Sequence, residues 1–213
     1  KNAKIENELE QRIRVMNKTT MAALQTQINP HFLYNTLNLI SLIDIRTHKK
    51  DTETVKAIQS LSDILRYAMN SESYIVPLRE EVENLEKYVY IQSLKYSDRF
   101  EIVFDIKEET LDVKVLKMTI QPLLKNSVFH GILPTDRKCK ITISSYIEDD
   151  MLKIKVEDDG VGISDSTMNK IQSDVNSETF DKTHVHGLMS VNQRCVLLYG
   201  EEYGCDIIPK EVG

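Results

Sequence analysis

The sequence predicts an α+β fold, with helices alone in its first part and helices combined with a mainly antiparallel sheet after residue 100. Three observations carry this. Apolar residues recur every three or four positions through the first part, the spacing of one helix face. KITISSYIE and MLKIKVED alternate with period two around Asp149-Asp150, which predicts a β-hairpin. Two helical stretches, LKMTIQPLLKNSVFHG and GLMSVNQRCVLLYG, lie on either side of that hairpin.

In chain order, Leu9, Ile13, Met16, Thr20, Ala23 and Gln27 follow a 4-3-4-3 spacing, a short coiled-coil-like seam that turns small and polar toward Pro30 and predicts a paired helix. Asn29-Pro30 interrupts a sequence that reads as helical on both sides. A proline inside a helix costs roughly 3 kcal/mol, so a compensating role is expected there. After a polar stretch at 46 to 53, Val55, Ile58, Leu61, Ser62, Leu65, Ala68 and Met69 give a second amphipathic helix. Two helices on a short connection form an antiparallel hairpin, and two such hairpins close a four-helix dimer. A third helix through REEVENLEKYVYIQSLKY is expected to link the hairpin to the rest of the chain. FEIVFDI reads as a strand and CDIIP as a short last one, while the polar segment between Ile163 and His186 has the length of a functional loop. The expected organisation is 1–75 for dimerisation, 76–99 as a connecting helix and 100–213 as the α/β part.

Composition narrows the function classes. A net charge of -6 and a pI near 5.5 leave no broad cationic surface, which argues against nucleic acid as a partner. No apolar run reaches the roughly 18 residues of a membrane span. Cys139, Cys195 and Cys205 are odd in number and lack metal-ligand spacing, which fits packed thiols in a reducing compartment. The sequence opens at Lys1 in a helical pattern, so an excised part of a longer protein is expected.

Several residues carry chemistry. Asn126 and His130 are four apart and share a helix face, while Ile120, Leu124 and Val128 form a separate apolar stripe. An Asn carbonyl suits Mg²⁺, which keeps several waters and takes other ligands from phosphates. In EDDGVGI, Gly160 and Gly162 allow close backbone approach, and Asp158 can accept a hydrogen bond from an amino group such as that of adenine. Gly187-Leu188 opens a helix, whose free N–H groups favour phosphate. Singly, each element also fits a blander origin: a solvated helix face, a hairpin turn, an ordinary helix start.

Their succession resembles the N box, G1 box, lid and G2 box of the GHKL (Bergerat-type) ATPases, over residues 100 to 208. LQTQINPHFLYNTLN closely resembles the phosphoacceptor box of the LytS/YehU and YesM type of sensor histidine kinase. LRYAMN, PLREEVENLEKYVYIQSLKY, QPLLKN and LLYGEEYG fall where that family has similar segments. The resemblance implies a two-component kinase core: ATP and Mg²⁺ as cofactors, Asn126 on the metal, and His130, Asp158, Gly160, Gly162, Gly187, Leu188 and Arg194 around the nucleotide. It implies His31 as phosphoacceptor, a response regulator as partner, a homodimer through the N-terminal helices, and a cytoplasmic location with any membrane part outside this chain.

Elementary chemistry agrees with His31. Its ordinary pKa near 6.5 leaves the imidazole largely neutral at pH 7, with a lone pair for attack on phosphorus. Pro30 is expected to bend the helix and expose His31, and Asn35, one turn on, to orient the ring. The chain departs from the family at Lys125 for Glu, Phe129 for Lys, Asp159 for Asn, and in VHGLMS for Gly-x-Gly-Leu-x-Asn. A stiffer lid hinge and fewer phosphate contacts are expected from these. Two competing readings are a catalytically impaired nucleotide-sensing scaffold and a GHKL hydrolase with an oligomerising hairpin.

Overall fold

The computed structural model describes residues 30–48, 52–69, 73–96, 99–164, 166–168, 186–200 and 202–209. The coiled-coil-like seam, the chain before Pro30 and the polar segment at 169–185 lie outside them, and so does the expected bend at Asn29-Pro30. The chain divides into two compact units between residues 70 and 71. The sequence pattern places this boundary after 75 and sets 76–99 apart as a connector, whereas that helix belongs to the second unit.

The first unit contains α1 (Pro30–His48) and α2 (Glu53–Met69). Thr52 starts α2 as an N-cap, its Oγ1 accepting the Val55 N–H at 3.2 Å and donating to the Asp44 carboxylate at the end of α1. One residue therefore ties both ends of the turn. α2 buries Val55, Ser62 and Ile64, while Leu61, expected on the inner stripe, is 39% exposed.

The second unit begins with β1 (Ile75–Pro77), which the sequence did not reveal, followed by α3 (Leu78–Tyr96) and β2 (Phe100–Ile106). A 3₁₀ turn leads to β3 (Lys114–Leu116), also unexpected, which pairs antiparallel with β1. That ribbon holds the first turn of α3, where Leu78 and Arg79 donate their N–H groups to the carbonyls of Val113 and Leu111, each at 2.9 Å. α4 (Ile120–Asn126) runs directly into a π-helical turn at Ser127–Ile132. The helix expected from Leu116 thus begins four residues later, because Leu116 is used by β3.

β4 (Cys139–Glu148) and β5 (Met151–Asp158) form the expected hairpin. Asp149 and Asp150 both have positive φ, 50° and 61°, the pattern of a two-residue type I′ turn. The three-stranded sheet has the order β2-β4-β5. β2 runs parallel to β4, so this sheet is mixed, while the other two strand pairings, β1 with β3 and β4 with β5, are antiparallel as expected. A helix, α4, lies between β2 and β4 in the chain, the connection that parallel pairing requires. CDIIP at 205–209 is irregular and pairs with no strand among the described residues.

One face of β4 is buried at Cys139, Ile141, Ile143 and Ser145, while the intervening residues are more exposed. Ile120, Leu124, Val128 and Ile132 are fully buried along α4 and its π turn, together with Leu78 of α3 and Val191 of α5 (His186–Tyr199). This core sets the end of α4, the end of β5 and the start of α5 in fixed relation to the sheet. All three cysteines are free thiols, and Cys139 is buried.

Candidate functional site

At the end of β5 the chain folds back on the π turn through two glycines. Gly160 lies against the Gly131 backbone so closely that a Cβ would overlap the Gly131 carbonyl. The Val161 N–H donates to that carbonyl at 2.9 Å. A Cβ on Gly131 would in turn meet Asp158 Oδ1 at 2.5 Å. Asp158 Oδ1 accepts the Gly160 N–H at 3.1 Å, which fixes the carboxylate while the side chain remains only half-buried. An oriented carboxylate in a cradle without side chains is a fitting acceptor for an amino group on a flat ring. Gly162 follows with φ of 73°, a conformation that glycine adopts without strain.

Asn126 is half-buried at the last residue of α4, and His130 is exposed in the π turn. The expectation of one α-helical face is therefore modified, since the winding loosens at Ser127 and the Leu133 N–H reaches the Val128 carbonyl five residues back, at 3.0 Å. Such π turns inside helices are frequent at functional sites. The Lys125 ammonium stands 6.0 Å above the Phe129 ring, and Phe129 meets Tyr96 edge to face at 6.5 Å. Two of the departures from the family pattern thus contact each other.

Asp159, the third departure, has two partners. Its carboxylate accepts the Lys140 N–H at 2.7 Å and the Arg137 guanidinium at 3.1 Å. Burial pushes this carboxyl up, but the Lys140 N–H and the bond and charge of Arg137 outweigh it and hold the pKa below its usual value. A cleft of about 500 Å³ beside this pair is lined by Thr135, Asp136, Arg137, Gly160 and Val161.

The start of α4 is held from two sides. Glu81, in the first turn of α3 and 3% exposed, accepts the N–H groups of Met118 at 2.7 Å, Thr119 at 3.0 Å and Ile120 at 3.4 Å. Arg194 of α5 donates to the Met118 carbonyl at 3.2 Å and to the Lys117 carbonyl. Between them Met118 has φ of 59°, which costs a non-glycine residue about 1–2 kcal/mol. Burial lowers the Arg194 pKa, partly countered by Cys195 and Glu81.

The structure therefore brings Asp158 and Gly160 together with the turn that follows Asn126 and His130. Gly187 and Leu188 stand in the first turn of α5, with Leu188 half-buried, and Arg194 contacts backbone carbonyls at the head of α4. The backbone of His31 and Asn35 lies in α1, and their side chains fall outside the description. Gly131, Glu81 and Met118 were not singled out from the sequence. Gly131 had a signal, because a glycine inside a helical pattern is disfavoured unless something approaches closely. Glu81 and Met118 had none, since neither burial nor φ is readable from one sequence.

A glycine-cradled carboxylate at a strand end, an Asn-bearing helix beside it and a Gly-Leu helix start define a nucleotide-site ATPase domain. Residues 111–208 match the family described as "Histidine kinase-, DNA gyrase B-, and HSP90-like ATPase". Residues 19–100 match the family described as "Histidine kinase", so the chain joins a histidine kinase region to an ATPase region of that type. It is 33% identical over 93% of its length to an uncharacterized sensor-like histidine kinase of Staphylococcus epidermidis, covering 38% of that protein. It is 30% identical over 98% of its length to the sensor protein kinase HptS of Staphylococcus aureus, covering 39% of it. The chain thus spans about two fifths of these relatives. Among solved structures it is similar to the histidine kinase domain of an Erythrobacter litoralis blue-light activated kinase, with TM-score 0.44 and 13% identity, covering 78% of this chain and 84% of that one.

Proposed function

We propose that this chain is the kinase core of a two-component sensor, which binds ATP in the second unit and transfers its γ-phosphoryl group to His31. A ring nitrogen of His31 forms the P–N bond, the bond between the γ-phosphorus and the bridging oxygen breaks, and ADP leaves. The observation that carries the reading is the Gly131-Asp158-Gly160 cradle, joined in one chain to the PHFLYN run that bears His31.

Within the site, Asp158 accepts the adenine amino group, and Gly160 and Gly131, packed on each other and on Asp158, hold its carboxylate in place. The N–H groups at Gly187 and Leu188 face phosphate, with the positive end of the α5 dipole behind them. The residues present fit Mg²⁺: Asn126, half-buried at the last residue of α4, offers a neutral oxygen. Such an ion takes its remaining ligands from phosphate and water, and when bound it offsets charge on the phosphates. Asn35 orients the His31 ring, and catalysis rests mainly on positioning.

We further assign a response-regulator Asp as the phosphoryl recipient and a homodimer through the N-terminal helices. We propose a cytoplasmic position for this part of a membrane sensor; among the described residues no helix is long and apolar enough to cross a membrane.

The test is incubation of the chain and its His31→Gln form with Mg²⁺ and γ-labelled ATP. Acid-labile, alkali-stable label on the parent alone is expected. Nucleotide binding without label would instead leave a sensing scaffold, and phosphate release unchanged by His31→Gln would indicate a hydrolase.

A further inference from the structure

We propose that Glu81, Met118 and Arg194 form a positioning lock that sets the spacing between the two arms of the nucleotide site, the Asn126 arm on α4 and the Gly187 arm on α5. The inference rests on the reading that this site binds ATP.

The lock closes on one residue. Glu81 from α3 takes the Met118 N–H, and Arg194 from α5 takes the Met118 carbonyl. Met118 is thus held at both of its backbone polar groups by side chains from two different helices. α4 depends on this arrangement because Thr119, at its cap position, makes no side-chain capping bond. The Glu81 carboxylate supplies that cap by accepting the first N–H groups.

From the clamped end, α4 runs seven residues to Asn126, and the π turn continues to Gly131 against Asp158. On the other side, Gly187 and Arg194 are seven apart in α5, two turns along one stripe, with fully buried Val191 between them. The shortest covalent route between the arms would cross β4, β5 and the polar segment. The lock joins them through one turn.

A fold needing only a helix start would use a Ser or Thr cap and a glycine at the positive-φ position. This chain instead buries a carboxylate, half-buries a guanidinium and keeps methionine at φ 59°. Strain of that kind persists where the surroundings over-determine a geometry, and it clusters at functional sites. Fixed separation of the arms is the function that these otherwise unfavourable choices share.

The experiment uses the whole chain with Mg²⁺ and a fluorescent trinitrophenyl-ATP, well below every variant's melting temperature. Glu81→Gln and Arg194→Lys are each expected to raise Kd by ~10-fold or more, because small displacements in a positioned site are amplified. KM for ATP in the labelling reaction should rise with Kd, and kcat should change less. Adding Met118→Gly to Glu81→Gln is expected to recover most of the affinity, since glycine holds the turn without the clamp. Kd values within twofold of the parent, accompanied by a lower melting temperature, would show a purely structural cap and overturn the lock. If Glu81→Gln fails to fold, Arg194→Lys decides by the same criterion, as it keeps the half-buried cation but lacks the planar fork. A parent that binds no nucleotide would overturn the ATP-binding reading, and the lock with it.

Discussion

In α1 the apolar side chains Leu39, Ile40, Leu42 and Ile43 are between 44% and 58% exposed, while Ser41 of the same helix and Ser62 of α2 are buried. The sheet-bearing unit also exposes apolar side chains, among them Leu197 at 60% and Ile208 at 76%, but it closes a core in which Leu78, Leu85, Ile120, Leu124, Ile132, Ile141 and Ile143 are almost wholly inaccessible. The second unit closes its own core. The helical pair leaves an apolar face open, with a spacing of three and four that puts Leu39, Ile40 and Ile43 on one side of the helix. The buried serines bring the helices close but add little apolar burial. The two units therefore differ in how far their stability is internal, and a second copy of the hairpin is the cover we propose for the open face.

The comparison can be broken most directly in the core. Leu124→Ala should cost about 2–5 kcal/mol in denaturant unfolding of the sheet-bearing unit. Leu42→Ala should cost well under 1 kcal/mol in a monomer, because little area is lost from a side chain that is 53% exposed. Equal costs in dilute monomer would remove the distinction. Next in size is Gly160→Ala, expected to destabilise by ~1–3 kcal/mol and to abolish nucleotide binding, since its Cβ would strike backbone. Gly131→Ala, which meets an Asp158 side chain, should be milder.

Ile40→Glu with Ile43→Glu sharpens the other half. Sedimentation is expected to show self-association weakened by ~10-fold or more, as charge replaces apolar contact at an interface. The melting transition of the sheet-bearing unit should stay in place. The smallest effect is expected for Asp159→Asn, below ~1 kcal/mol, because the Arg137 pair is about half exposed. The Asp159 carboxyl titrates below its ordinary value near 3.8. Its contribution is thus present above that value and lost as pH falls through the lower folded value. The difference between parent and variant in urea midpoints should accordingly vanish at strongly acidic pH.

The fold was legible where local pattern and tertiary demand agree. Period two in KITISSYIE and MLKIKVED, with two Asp residues able to take positive φ, gave β4 and β5. The fully buried Ile120, Leu124 and Val128 match the stripe read from the sequence. β1 and β3 escaped because three-residue strands carry too few positions for a period. CDIIP misled because β-branched residues mark a tendency, and pairing needs a neighbour. Of the candidate site, Asp158 and Gly160 were readable as a turn with unusual backbone freedom. Their partner Gly131 belongs to another element, and only the packed structure joins the two.

The parallel pairing of β2 with β4 also shapes how the chain is made. Phe100 lies opposite Cys139, so β2 is synthesised 39 positions before its partner begins. The β4–β5 hairpin needs only its two-residue turn and forms on the microsecond scale, whereas β2 must wait for β3, α4 and the π turn. During that interval FEIVFDI, seven residues rich in β-formers, has no neighbouring strand. It is thus open to intermolecular pairing while it waits, and chaperone demand during expression should track its charge.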